Sequence, residues 1–98
     1  MSNSLTSDQE ELFSFIDEIL WLKWDPIGVN DIEGARDEYS SYVPHIFRLA
    51  VEGKDPATIG ESLIATIEGN MGLSANREFN YGVATEIVAA KQMLLDEH

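Results

Sequence analysis

Apolar residues recur at i, i+3 and i+4 along almost the whole chain, and no segment alternates with period two for long enough to form a strand. That pattern predicts an all-α protein, a compact bundle of four helices with short connections, because each helix has one apolar stripe to bury against the others. The chain of 98 residues fits a single helical domain over 1–98, with room for one modest core.

The first helix is expected from about Ser7 to Lys23. Ser7 and Glu10 have capping-box spacing, and Leu12, Phe13, Phe15, Ile16, Ile19, Leu20 and Trp24 form the stripe. Asp25-Pro26 ends it, since a residue before proline is pushed out of the α region and Gly28 adds turn freedom. The second helix is expected to start after Asn30 or Asp31, with Ala35, Tyr39, Tyr42, Ile46 and Leu49 on its apolar face and Gly53 at its end. Pro44 interrupts that stripe, so the helix is kinked or broken there; the unbroken phase of the stripe favours a kink.

Asp55-Pro56 opens a third helix that carries Ile59, Leu63, Ile64 and Ile67 and stops near Gly69 or Gly72. A fourth, after "MGLSAN", presents Phe79, Val83, Ile87, Ala90 and Leu94 on one face, with Ala84, Val88 and Met93 beside it. Gly60 and Gly82 fall inside helical segments, where each costs about 1 kcal/mol against alanine, and are expected to mark close packing.

Charge restricts the partners. Six bases against eighteen acids give a net charge of −12, which opposes binding to nucleic acid and to anionic membrane. The acids crowd the stretch from Asp8 to Glu38, where Lys23 and Arg36 are the bases that oppose them. There is no cysteine, no apolar run approaches a membrane span, and "MSNSLTSDQEEL" is polar and acidic where a signal peptide would be basic and then apolar. A cytoplasmic protein is expected.

Catalytic groups are sparse. His45 and His98 have no neighbour at metal-ligand spacing, and no glycine pattern resembles a phosphate loop. Asp31, Glu33, Asp37 and Glu38 read as helix-start and surface charges more readily than as a cation cage or an acid/base pair. No catalytic residue, cofactor or metal site is expected. A carboxylate-based metal-dependent enzyme is the alternative.

The segment "KWDPIGVNDIEGARDEYSSYVPHIF" carries the remaining signal. Trp24, Asp25 and Pro26 are read as a structural joint. Trp24 caps the end of the bundle, Asp25 accepts N–H bonds in the turn, and Tyr39 packs under Trp24 with its hydroxyl on a carboxylate or backbone group. Glu33, Asp37, Glu38, Tyr39 and Tyr42 are the candidate partner-binding residues, with a basic protein as the partner.

Trp24, Asp25, Pro26 and Ile27, followed by Asp37, Glu38 and Tyr39, resemble the YugE-like family of small bacterial all-helical proteins of unknown function. The resemblance implies a compact helical fold in a bacterial, cytosolic protein and carries over no catalytic residue. The chain departs from that pattern at Ser40, where another acid is expected, and at Pro44. Its size, acidity, helix number and tyrosines before a proline (Tyr39, Tyr42, Pro44) are also similar in gross features to colicin-type nuclease immunity proteins. That analogy implies an immunity-type inhibitor of a basic toxin or nuclease.

Overall fold

The computed structural model describes residues 5–26, 28–29, 32, 34–35 and 37–96, which contain four α-helices and no strand. Helix α1, Ser7–Ile19, continues through a π-helical turn, Leu20–Trp24. A 3₁₀ turn, Ser40–Tyr42, leads into α2, Val43–Val51. Helix α3, Pro56–Ala65, and helix α4, Arg77–Lys91, also run on into π-helical turns, Thr66–Asn70 and Gln92–Asp96.

Helices α1, α3 and α4 each start at a side-chain cap, and α2 has none. Thr6, not Ser7, caps α1: its hydroxyl accepts from Gln9 N–H at 3.1 Å, and the Gln9 side chain accepts from Thr6 N–H at 3.0 Å. This is a capping box one residue earlier than the Ser7–Glu10 spacing predicts, with glutamine in the place of glutamate. Asp55 caps α3 by accepting from Thr58 N–H at 2.9 Å, and Pro56 takes a first-turn position where its missing N–H costs nothing. Asn76 caps α4 in the same way, through Phe79 N–H at 2.8 Å.

The second helix differs from the expectation. It does not run from residue 31 with a kink at Pro44; it begins at Val43, with Pro44 in its first turn. Ahead of it the chain makes tight turns, with Ile32 N–H donating to Val29 O, Ala35 to Ile32, Glu38 to Ala35 and Ser40 to Asp37 at 2.9–3.2 Å. The first connection is correspondingly long. Gly34 at φ +93° lies outside any right-handed helix, and the Ser40 hydroxyl donates to Asp37 O at 2.8 Å, competing with helical pairing. The apolar positions still face inward, because Val29 and Ala35 pack on the core from these turns.

The core is the meeting of Leu12, Ile16 and Leu20 of α1 and its extension with Val43, Ile46 and Ala50 of α2, Ile59 and Leu63 of α3, and Val83, Ala84 and Ile87 of α4, all buried. Each larger aliphatic chain among them contributes about 1.5–3 kcal/mol by leaving water. Helix α4 is turned relative to its predicted face. Asn80, 1% exposed, takes the inward position, so Phe79 and Met93 are on the outside. One residue rotates a helix position by about 100°, enough to move Phe79 from core to surface.

The two helical glycines separate. A Cβ at Gly60 would overlap the Tyr81 ring, reaching Cε1 at 2.9 Å, and would lie 3.4 Å from the Tyr81 backbone, whereas at Gly82 it would meet nothing within 4 Å. Tyr81 cannot swing aside freely, since its hydroxyl donates to Glu61. Gly60→Ala is therefore expected to lose about 1–3 kcal/mol despite alanine's better helix propensity. Gly82→Ala is expected to gain about 0.5–1 kcal/mol. Denaturant melts of the two variants read both signs, and equal signs would refute the packing account.

Candidate functional site

At the end of the π-helical turn that follows α1, four aromatic rings converge on the start of the long connection. The wide turn closes with Asp25 N–H donating to Leu20 O at 3.0 Å and leaves Trp24 3% exposed. The Trp24 ring meets Tyr39 edge-on at 5.5 Å between centroids and Tyr42 at 6.1 Å, and Trp21 lies 6.2 Å from Tyr39. These separations are the favoured range for edge-to-face pairs.

Two polar links tie the rings in place. The Tyr39 hydroxyl donates to Asp25 Oδ1 at 2.6 Å, and the same oxygen accepts from Val29 N–H at 2.9 Å. Asp25 itself is held at φ +25°, in the left-handed region and before Pro26, a conformation that costs about 1–3 kcal/mol and persists only where neighbours fix it. On the other side, the Trp24 indole N–H donates to Asn80 Oδ1 at 2.8 Å, and the Asn80 amide donates to Asn76 O at 2.7 Å. Among the described residues no buried side-chain polar atom is left without a partner.

The candidate partner-binding residues divide. Tyr39 is 2% exposed and belongs to the interior, so it is withdrawn as a surface anchor: its ring is the middle of the aromatic stack and its hydroxyl is committed to Asp25. Asp37 and Glu38 are exposed, and Tyr42 is half-buried with one edge on Trp24. Glu33 lies outside the described residues, as do Ile27, Asn30 and Asp31. Pro26 is half-buried in the turn.

Beside Tyr42 is a cleft of about 210 Å³ lined by Ser41, Tyr42, His45, Ile46, Leu63, Thr66 and Asn70. It is smaller than the roughly 300–1,000 Å³ of ordinary small-molecule sites. Its His45 is exposed, with Nδ1 3.4 Å from an Arg48 guanidinium nitrogen. The cleft offers hydrogen-bonding groups, and among the described residues no three His, Asp or Glu side chains are grouped to hold a metal ion.

Among the described residues Lys23 is engaged with Glu86, Arg77 with Glu61, and Lys91 with Asp96 at 2.9 Å. Sequence reasoning missed both Asn80 and the Glu61–Arg77–Tyr81 cluster. The available signal for Asn80 was its phase, since it continues the line of Val83, Ala84 and Ile87.

Two exposed carboxylates titrate low. Hydrogen bonds from the Thr58 side chain and backbone hold Asp55 below its ordinary value. The Tyr81 hydroxyl, and then Arg77, do the same for Glu61. A carboxyl whose folded value lies below its unfolded one adds stability above the unfolded value, near pH 4, and that stability is lost as pH falls through the folded value. Stability of the doubly substituted Asp55→Asn, Glu61→Gln chain is expected to fall less steeply than wild type as pH drops below about 4. Urea melts at successive pH values measure the slope, and identical slopes would remove both groups from the acid transition.

No protein-family model matches the sequence, and neither a curated protein nor a solved structure matches it. Among the described residues no helix is long and apolar enough to cross a membrane.

Proposed function

We propose that this chain is a non-enzymatic protein-binding module for a basic protein, in its most concrete form an immunity-type inhibitor of a basic toxin or nuclease. The observation that carries the reading is the exposure of Asp37 and Glu38 close in sequence to the half-buried Tyr42, in a chain of net charge −12. Acidic side chains around an aromatic edge give long-range steering with a short-range anchor. The resemblance to YugE-like proteins supports a bacterial, cytoplasmic setting. The same charge disfavours nucleic acid and anionic membrane as partners.

The test is capture from a host lysate followed by association kinetics with the captured protein. A basic partner is expected, with an association rate that falls steeply as salt rises to about 0.15 M and a dissociation rate that changes much less. Asp37→Asn with Glu38→Gln should slow association, and Tyr42→Ala should speed dissociation. Capture of nothing basic, or a salt slope unmoved by the two neutralisations, would leave the acidic face as solvation alone.

A further inference from the structure

Helix α1 and its π extension carry an outer line of exposed side chains. Glu11, Phe15, Glu18 and Leu22 follow one another at spacings of four, three and four residues, which stacks them along one side of a helix. Phe15 is 36% and Leu22 64% exposed, while the core-facing Leu12, Ile16 and Leu20 are fully buried. Against this line sits α4, where Glu86 reaches Lys23.

Between the two helices is a groove of about 200 Å³ lined by Phe15, Glu18, Ile19, Leu22, Lys23 and Glu86. Its floor is apolar. Lys23 is the base among these lining residues, and it is paired with Glu86. Glu18 therefore gives the rim a net negative charge, and Glu11 lies two steps further along the same line.

We infer that the α1–α4 groove is a docking surface for a basic amphipathic helix of a partner protein, apolar side chains at i, i+3 or i+4 and i+7 lying against Phe15, Ile19 and Leu22, and Lys or Arg side chains flanking them over Glu18 and, further along the same line, Glu11. This is the helix-in-groove mode of recognition, with charge complementarity choosing the occupant. A second copy of the chain is the wrong occupant. It would set glutamates against glutamates between two bodies each carrying −12. The inference rests on the protein-binding reading and assigns the contact to a surface separate from Asp37, Glu38 and Tyr42.

The probe is a labelled synthetic peptide of about 18 residues with leucine at helical i, i+3, i+4 and i+7 positions and lysine or arginine elsewhere, beside a scrambled peptide of the same composition. Fluorescence anisotropy at low and at about 0.15 M salt measures affinity for the full chain. The amphipathic peptide is expected to bind at least about tenfold more tightly than the scrambled one. Leu22→Gln, which keeps charge and helix propensity at an exposed position, is expected to remove most of that preference, about fivefold or more, with unchanged circular dichroism and melting. Asp37→Asn with Glu38→Gln should leave it within about twofold.

Equal binding of the two peptides, or a preference untouched by Leu22→Gln, overturns the groove. If affinity instead falls with the Asp37 and Glu38 neutralisations, the groove fails and the acidic-face reading stands. If neither peptide binds even at low salt, the groove fails, while the acidic-face reading is decided by its own capture experiment. A wild-type dimer in sedimentation that becomes monomeric on Leu22→Gln makes the face a self-interface and overturns the inference.

Discussion

Trp24→Ala is expected to lower stability by about 3–5 kcal/mol, the usual result of emptying a large buried aromatic site. The ring is 3% exposed, is gripped edge-on by Tyr39 and Tyr42, and closes the end of the bundle where α1 gives way to the long connection. Its loss would also strip the Asn80 carbonyl of the indole N–H that satisfies it. Tyr39 would lose its edge partner, and the strained Asp25 that its hydroxyl helps to hold would lose support. Urea unfolding decides the matter through the midpoint shift at constant slope. A loss below about 1 kcal/mol, the size of a surface substitution, would show that the stack is not a structural element.

The second large effect is at Asn80. Asn80→Leu matches the apolar neighbours Val83, Ala84 and Ile87 and should look conservative by hydropathy, yet it strands the buried indole N–H of Trp24. A cost of about 1–3 kcal/mol follows, that of a desolvated donor without an acceptor. Trp24→Phe alone strands the Asn80 carbonyl instead and shrinks the ring. In the double variant Trp24→Phe, Asn80→Leu both polar partners are gone together, so its cost should be smaller than the sum of the singles by at least about 1 kcal/mol. Additivity within about 0.3–0.5 kcal/mol would mean that the hydrogen bond contributes nothing of its own.

What the sequence disclosed, and what it hid, follows from the range of the physics involved. Asp55-Pro56 announced a helix start because a cap and a first-turn proline act within one turn. The contact of Trp24 with Tyr39 was legible because a large aromatic at a helix end must be covered and the nearest covering ring is a few turns of chain away. The beginning of α2 was misread because Ala35, Tyr39 and Tyr42 keep helical spacing while sitting in successive tight turns, and spacing alone does not register Gly34 at φ +93°. Phe79 and Met93 were placed on the core side because apolarity was counted and Asn80 was not. A buried asparagine is polar to a hydropathy scale and core to a tryptophan that needs an acceptor. The aromatic and acidic residues near Tyr42 were visible as a cluster. The division between a buried Tyr39 and exposed Asp37 and Glu38 depends on how the turns pack, which is set by contacts across the whole bundle.

The pairing of the first helix with the last has a consequence for synthesis in the cell. The acceptor for the Trp24 indole lies 56 residues downstream, so α1 leaves the ribosome long before the helix that completes its junction exists. At translation rates of about 5–20 residues per second, its inner face of Leu12, Ile16, Leu20 and Trp24 waits on the order of 3–11 s without that partner. Throughout that interval Glu10, Glu11, Asp17 and Glu18 alternate with the apolar positions on the nascent segment and keep neighbouring chains apart by repulsion. The acidity of the leading helix is thus of use to the polypeptide before it has any fold at all.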